Sequence, residues 1–321
     1  MDLQYPTDPA SRTEWILAQR PQRTELDPEK PYAFFVEEEC SATDEVVPVA
    51  TIFLTNRECP WRCVMCDLWK NTLTRPVAPG SIPRQIAYAL ERLPPARQVK
   101  LYNSGSFFDV QAIPPEDYPA IAALVGHFEL TIAECHPALV GPRCFGFRGL
   151  LPHTLEVAMG LETVHPEVLE RLNKRMTLDL FATAAASLRS QNIDLRVFIL
   201  VQPPFIKPNE SLHWAQRSLE FAFDCGATAV SLIPTRGGNG AMESLAQTGD
   251  FVPPRLAMLE AAVEYGVHLQ RGRVFSDLWD LRRAAPSCVG CYPARIARLA
   301  AMNLHQKVID AIECPDCEGR S

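Results

Sequence analysis

Seven of the eleven cysteines fall into tight groups. Cys59, Cys63 and Cys66 form CxxxCxxC within TNRECPWRCVMCDLW, and Cys288/Cys291 and Cys314/Cys317 form two CxxC pairs near the C-terminus. In a reducing compartment such spacing points to metal ligation before disulfides. Three thiolates on one short loop cannot close a four-coordinate structural zinc site without a ligand from elsewhere. A [4Fe–4S] cube on three cysteines instead leaves one iron open to a non-protein ligand. The C-terminal pairs are separated by 22 residues that include the helical run ARIARLAAMNLHQKVIDAIE. Their four soft ligands suit a zinc ion or an auxiliary iron–sulfur cluster. Cys40, Cys135, Cys144 and Cys225 stand alone and read as small buried apolar side chains.

Elements to position such a loop are legible as a βα series. Candidate strands are 49–55, 99–103, 128–134, 155–161, 196–201 and 228–233, rich in Val, Ile, Leu and Phe with little strict alternation, as parallel strands covered on both faces should be. Helical patterns lie between them at 81–93, 114–126, 165–174, 178–191 and 209–226, with Asn209 placed as an N-cap and Gly226 where a helix-ending glycine is expected. Six units predict an α/β chain, a partial (β/α)6 parallel barrel; a doubly wound sheet gives nearly the same pattern. The polar clusters fall after strand C-termini, the active face of parallel α/β architectures.

Of the 321 residues 47% are hydrophobic, enough for a real core, which excludes a disordered chain or a disulfide miniprotein. The longest nearly unbroken apolar stretch, Val46 to Leu54, is too short to span a membrane, and the opening residues MDLQYPTDPASR lack the features of a secretory signal, so a soluble, cytoplasmic chain is expected. Residues 1–48 hold eleven acidic against four basic residues, as large an imbalance as the whole-chain −7. Between His268 and Lys307 seven basic residues face two acidic ones, a stretch open either to phosphates or to ordinary ion pairs. The expected organisation is an acidic N-terminal extension (1–48), the barrel (49–285) and a four-cysteine C-terminal extension (286–321).

The CxxxCxxC loop directly after the first strand resembles that of the radical SAM superfamily. There an aromatic usually precedes the last cysteine; here Met65 holds that place and Trp61 lies nearby. The resemblance implies a radical-SAM-type partial barrel with a [4Fe–4S] cluster on Cys59, Cys63 and Cys66, whose free iron chelates S-adenosylmethionine (SAM). One-electron reduction, from a donor such as flavodoxin or ferredoxin, then yields a 5′-deoxyadenosyl radical that abstracts hydrogen from the substrate. It further implies SAM contacts from Asn103, Ser104, Gly105 and Ser106 in LYNSGSFFD, from Glu134 at the third strand end, and from Glu162 and Thr163 in MGLETVHPEVLERLNK. The adenine would lie against Val201, Gln202, Ile233 and Pro234, with Arg236 and its neighbouring glycines as a flexible, positively charged lip. Glu162 has the competing reading of a helix cap. His136 and His165 read as structural or solvent-facing.

YNSGSFFD, GLETVHPEVLERLNK and IPTRGGNGAMESLAQTGDFVPP together look most like the archaeosine-biosynthesis radical SAM proteins and their relatives near the elongator catalytic subunit. That likeness implies a modified 7-deazaguanine base of tRNA as substrate and a C–N bond-breaking reaction. The acidic balance of the chain disfavours generic nucleic-acid affinity. A radical SAM enzyme acting on a small molecule or peptide is the alternative within the class, and a non-catalytic iron–sulfur or zinc scaffold or redox sensor the alternative outside it.

Overall fold

The computed structural model describes residues 4–285 and 288–314. Eight strands form one sheet in sequence order: β1 (Ala33–Cys40), β2 (Val46–Phe53), β3 (Gln98–Tyr102), β4 (Leu130–Glu134), β5 (Thr154–Glu162), β6 (Asp194–Val201), β7 (Ala229–Pro234) and β8 (Arg273–Ser276). β1 and β2 pair antiparallel, and every later neighbour is parallel. The helices are α1 (Pro9–Gln19), α2 (Ser81–Leu90), α3 (Tyr118–Val125), α4 (Pro142–Leu150), α5 (Pro166–Arg171), α6 (Leu178–Ser190), α7 (Pro208–Asp224), α8 (Ala241–Thr248), α9 (Leu256–His268), α10 (Leu281–Ala284) and α11 (Tyr292–His305). Among the described residues no helix is long and apolar enough to cross a membrane.

All six expected strands form, and β1 and β8 extend the sheet at either edge, so the half-barrel begins within the acidic leader. β1 escapes a hydrophobic search because two of its inward residues are charged. Glu37 and Glu39 point into the lumen, where Lys100 of β3 donates to both, at 2.9 and 2.5 Å. Arg196 of β6 bridges Glu39 and Glu156 of β5, each at 2.5 Å, and Arg273 of β8 reaches Glu156 at 2.9 Å and the Cys40 carbonyl at 3.3 Å. Contacts from β6 and β8 back to β1 require a curled sheet. Burial alone would raise the Glu39 and Glu156 carboxyls, but the Arg196 guanidinium, helped by Lys100 and Arg273, overrides it and holds both below the ordinary range. This network lies toward the N-terminal ends of the parallel strands and forms a charged floor.

Outward-facing residues such as Ile52, Leu101, Val157, Val197 and Val230 join the main core beneath the helices. Helix starts follow local chemistry: Thr177 Oγ1 accepts the Leu180 N–H at 3.1 Å at the start of α6, and His165 Nδ1 accepts the Val168 N–H at 3.5 Å at the start of α5. At α7 the cap expectation is corrected. Pro208 takes the first helical position, where a missing N–H costs nothing, so Lys207 is the cap residue and Asn209 lies inside the helix. Gly226 follows α7 with φ +91, in the expected place.

The edge of β8 is not left bare. Asn303 of α11 accepts from the Ser276 N–H (2.8 Å) and donates to its carbonyl (2.9 Å), while Gln306, just after α11, does the same for Val274 (2.6 and 3.1 Å). Two side-chain amides thus stand in for a ninth strand.

Candidate active site

The cysteine loop leaves β2 at the C-terminal mouth of the half-barrel. Glu58, beside Cys59, is held by Arg20 (2.8 Å), Arg23 (2.6 Å) and Arg62 (3.2 Å). Burial would raise the Glu58 carboxyl, but Arg23 and Arg20 hold it low. Asn239 donates to the carbonyls of Val64 (2.7 Å) and Cys66 (3.1 Å), Asn173 donates to that of Arg62 (2.8 Å), and the Val64 N–H reaches the Leu172 carbonyl at 3.0 Å. The loop is therefore clamped from the leader, from the segment after β5 and from the segment after β7. Trp61 stacks on His136, with ring centroids 3.6 Å apart and planes 10° from parallel. Burial and the Lys174 charge push His136 down to about 3, so the ring is neutral; its Nδ1 accepts from the Ala138 N–H, and its Nε2–H donates to the Lys174 carbonyl at 3.1 Å.

Burial pushes the thiols of Cys59, Cys63 and Cys66 up to about 12 each, so a cationic group must displace their protons to bind. Their sulfurs do not all converge within 4.8 Å of one another. A single tetrahedral ion at Zn–S of about 2.3 Å would draw its sulfurs to about 3.8 Å, whereas a cube attaches each thiolate to a different iron and needs them spread. Gly105 lets the backbone pass close beside this loop: a Cβ there would stand 3.2 Å from the Cys59 Cβ, a tight contact. These donors fit a four-iron cube with one open iron.

The expected SAM contacts gather at this same mouth. Asn103, Ser104 and Ser106 are buried. The Asn103 N–H donates to Glu134 at 2.8 Å, Ser104 meets the Tyr32 hydroxyl at 2.9 Å, and Ser106 Oγ accepts the His136 N–H at 3.1 Å. Burial pushes the Glu134 carboxyl up to about 7, against the lowering pull of the Asn103, Gly105 and Ser104 amides. Glu162 does not cap a helix; its Oε1 accepts from Lys174 Nζ at 2.5 Å. Burial would pull the Lys174 ammonium down, but Glu162 and the nearby Cys63 and Cys59 sulfurs raise it. Thr163 Oγ1 accepts from the His165 N–H at 3.2 Å. Gln202 donates to the Ile206 carbonyl at 2.8 Å, and Ile233 packs against the apolar cluster that includes Val64. The Val201 side chain faces the outer core, leaving its backbone and that of Pro234, its partner in register, at the rim.

The lip after β7 makes ion-pair and hydrogen-bond contacts of its own. Arg236 pairs with Asp277 at 3.0 Å and donates to the Trp279 carbonyl at 3.1 Å, while Glu243 takes the N–H groups of Gly238 and Gly240. The basic stretch 268–307 is likewise largely spent on ion pairs: Arg271 on Asp224, Arg273 on Glu156, and Arg295 and Arg298 on Glu260.

Two features of the mouth suit it to receive a polar ligand. Ser104, Glu162 and Gln202, all at strand ends, carry positive φ of 54°, 67° and 57°, a strain of the kind stored at binding sites. Both amide atoms of Asn103, Gln202 Oε1, Thr235 Oγ1, Thr55 Oγ1 and Asn56 Oδ1 are buried without a partner. Each such atom costs about 1–3 kcal/mol until something meets it.

Below the mouth and above the charged floor runs a tier of partly exposed aromatic rings. Phe35 approaches Trp279 (5.1 Å) and Phe53 (6.0 Å), Phe53 meets Tyr102 (5.9 Å), and Tyr102 meets Phe198 (6.2 Å). Sequence reading missed this tier and Lys174, because ring and ammonium face the lumen only once strand register is known; the inward period of two from Lys100 to Tyr102 was the available signal.

Away from the loop, the sulfurs of Cys288, Cys291 and Cys314 converge within 4.8 Å. Cys317 lies outside the described residues.

No known family profile matches the sequence. The chain is 24% identical over 252 residues to an uncharacterized protein of Methanocaldococcus jannaschii, covering 73% of this chain and 69% of that one. It is 25% identical over 221 residues to archaeosine synthase subunit beta of Methanosarcina acetivorans, covering 64% of this chain and 63% of the relative. Among solved structures, Elp3 of Methanocaldococcus infernus lacking its N-terminal segment aligns with a TM-score of 0.48 at 14% identity, over 60% of this chain and 51% of its own. Coproporphyrinogen III oxidase of Escherichia coli, a radical SAM enzyme, aligns with a TM-score of 0.48 at 12% identity, over 73% and 55%. In its three-cysteine loop and in its archaeosine synthase relative, the chain is similar to the radical SAM superfamily and, within it, to the archaeosine-biosynthesis proteins.

Proposed function

We propose that this chain is a radical SAM enzyme with a [4Fe–4S] cluster on Cys59, Cys63 and Cys66. The observation that carries the reading is the meeting of that loop with a buried Glu162–Lys174 pair and orphaned amides at one mouth. The pair matches the two charges of an amino-acid group: Lys174 is placed to hold a carboxylate, and Glu162, with Glu134 nearby, an ammonium. Asn103, Gln202 and Thr235 offer the free donors and acceptors that the rest of a nucleoside ligand needs. When bound, cluster and SAM supply reductive cleavage to methionine and a 5′-deoxyadenosyl radical, after which hydrogen is abstracted from the substrate. The protein's part is to orient that ligand, to keep the Trp61–His136 stack against the loop, and to exclude water behind the aromatic tier.

The tier and the archaeosine synthase relative support a flat heteroaromatic substrate, a 7-deazaguanine-type tRNA nucleobase undergoing C–N cleavage. Contact with tRNA, a flavodoxin- or ferredoxin-type electron donor and a cytoplasmic site of action belong to the same proposal.

The test is anaerobic reconstitution with iron and sulfide, reduction, SAM addition and chromatographic detection of 5′-deoxyadenosine. The wild-type chain should form it and Cys63→Ala should not. A fully loaded, reduced wild-type chain that leaves SAM intact, with and without tRNA, would overturn the enzyme reading in favour of a scaffold.

A further inference from the structure

The second cysteine group has a geometry unlike the loop. Cys288 Sγ lies 3.1 Å from Cys291 Sγ and 3.4 Å from Cys314 Sγ, and the three converge within 4.8 Å. A disulfide needs about 2.05 Å and would strand the third thiol. A four-iron cube would spread the sulfurs over separate irons. One tetrahedral ion, with sulfurs about 3.8 Å apart, is the arrangement these distances approach. The Cys291 N–H points at Cys288 Sγ at 3.5 Å, a donor suited to a thiolate. Cys291 also sits immediately before α11, whose N-terminal end favours negative charge.

What surrounds the group gives it a task. Asn303 serves Ser276 and Gln306 serves Val274, so α11 runs opposite to β8 and carries Cys291 at the mouth end. Arg295 and Arg298 tie α11 to Glu260 and Glu264 of α9. Arg298 also donates to the carbonyls of Ile309 and Asp310, at 2.9 Å each, folding the chain after α11 back so that Cys314 reaches Cys288. The ion would thus join the segment before α11 to the segment after it, closing a clasp around the helix that covers the β8 edge.

We propose that Cys288, Cys291 and Cys314 bind one zinc ion that fastens α11 over β8, independently of the radical chemistry. The test counts zinc and iron on the same purified full-length chain and follows hydrogen exchange by mass spectrometry. One zinc per chain is expected, falling at least tenfold in Cys288→Ser and in Cys314→Ser with loop iron and 5′-deoxyadenosine unchanged. Exchange across 273–276 and α11 should rise at least tenfold in the same variants. Gln306→Ala, which touches no ligand, should raise exchange in β8 while zinc stays. Cobalt replacing zinc in the wild-type chain should give a tetrahedral thiolate spectrum even if a cysteine variant fails to fold. Zinc retained in Cys314→Ser, iron lost in place of zinc, or zinc lost with no change in β8 exchange would each overturn the proposal. Failure of SAM cleavage with zinc binding intact would count against the enzyme reading alone.

Discussion

Gly160 offers a perturbation of the proposed SAM subsite that changes no charge. It faces the lumen on β5, at the bulge where register shifts between Gly160 and Glu162. A Cβ at this position would overlap Glu162 Oε1 and Lys174 Nζ and stand 3.2 Å from Glu162 Cδ. The backbone there is not left-handed, so Gly160→Ala acts through space alone. The ends of both side chains must retreat by roughly 1 Å to restore ordinary contact. Each then loses alignment with a charged ligand group, and a hydrogen bond to a charged group is worth about 1.5–3 kcal/mol. With the partial misalignment of the two together taken as the loss of one such bond, at about 1.4 kcal/mol per tenfold, SAM affinity should weaken by about ten- to 150-fold.

Overpacking of this kind costs about 1–3 kcal/mol of stability, so the variant should remain folded. The thiols and the clamp on Glu58 are untouched, and the loop iron should equal that of the wild type. The assay is SAM titration of the reduced protein by electron paramagnetic resonance, with 5′-deoxyadenosine formation measured at low and saturating SAM. Formation should fall at low SAM and recover at high SAM. Affinity within twofold of wild type, with iron intact, would refute the placement of a ligand over Glu162 and Lys174.

The floor of the barrel gives a stability prediction: Arg196→Met leaves Glu39 and Glu156 without their shared guanidinium, and loss of one partner of a buried pair costs about 3–5 kcal/mol, read as a lower midpoint in urea. Because both carboxyls are held low in the folded chain, their stabilisation is present above the ordinary carboxylate range and is lost as pH falls through the folded values; the variant should show a shallower acid dependence. Glu134 runs the opposite way. Raised to about 7, it contributes stability that is full below the ordinary carboxylate range and is lost as pH rises through about 7, and Glu134→Gln should flatten that slope in denaturation curves taken from pH 4 to 8.

The parallel framework and the cysteine loop were legible because both are written in local sequence. Strands β2 to β7 bury apolar residues on two faces, and Cys59, Cys63 and Cys66 need no partner from afar to be recognised. β1 was not, since Glu37 and Glu39 are inward only because Lys100 and Arg196 await them from β3 and β6. The same holds for Lys174, twelve residues beyond Glu162 and meaningful only when the chain folds back upon it. At the lip, the glycines after Arg236 are legible locally, while their partners Asp277 and Glu243 are not, since they enter from β8's end and from α8.

The two ends of the lumen separate structure from function by how completely they satisfy their polar groups. At the floor, five buried charged residues on β1, β3, β5, β6 and β8 find each other, and the one unpartnered atom beside them is Gln98 Oε1 at the start of β3, among the described residues. At the mouth, Asn103, Gln202 and Thr235 keep buried atoms without partners beside strained backbone at Ser104, Glu162 and Gln202. The four atoms on Asn103, Gln202 and Thr235, at about 1–3 kcal/mol each, would weigh on a fold that is stable by about 5–15 kcal/mol in all unless a ligand or water meets them. A polar, bifunctional molecule at the cysteine loop removes that deficit in one step. The mouth should therefore gain stability and lose amide exchange on SAM binding, whereas the floor should not respond.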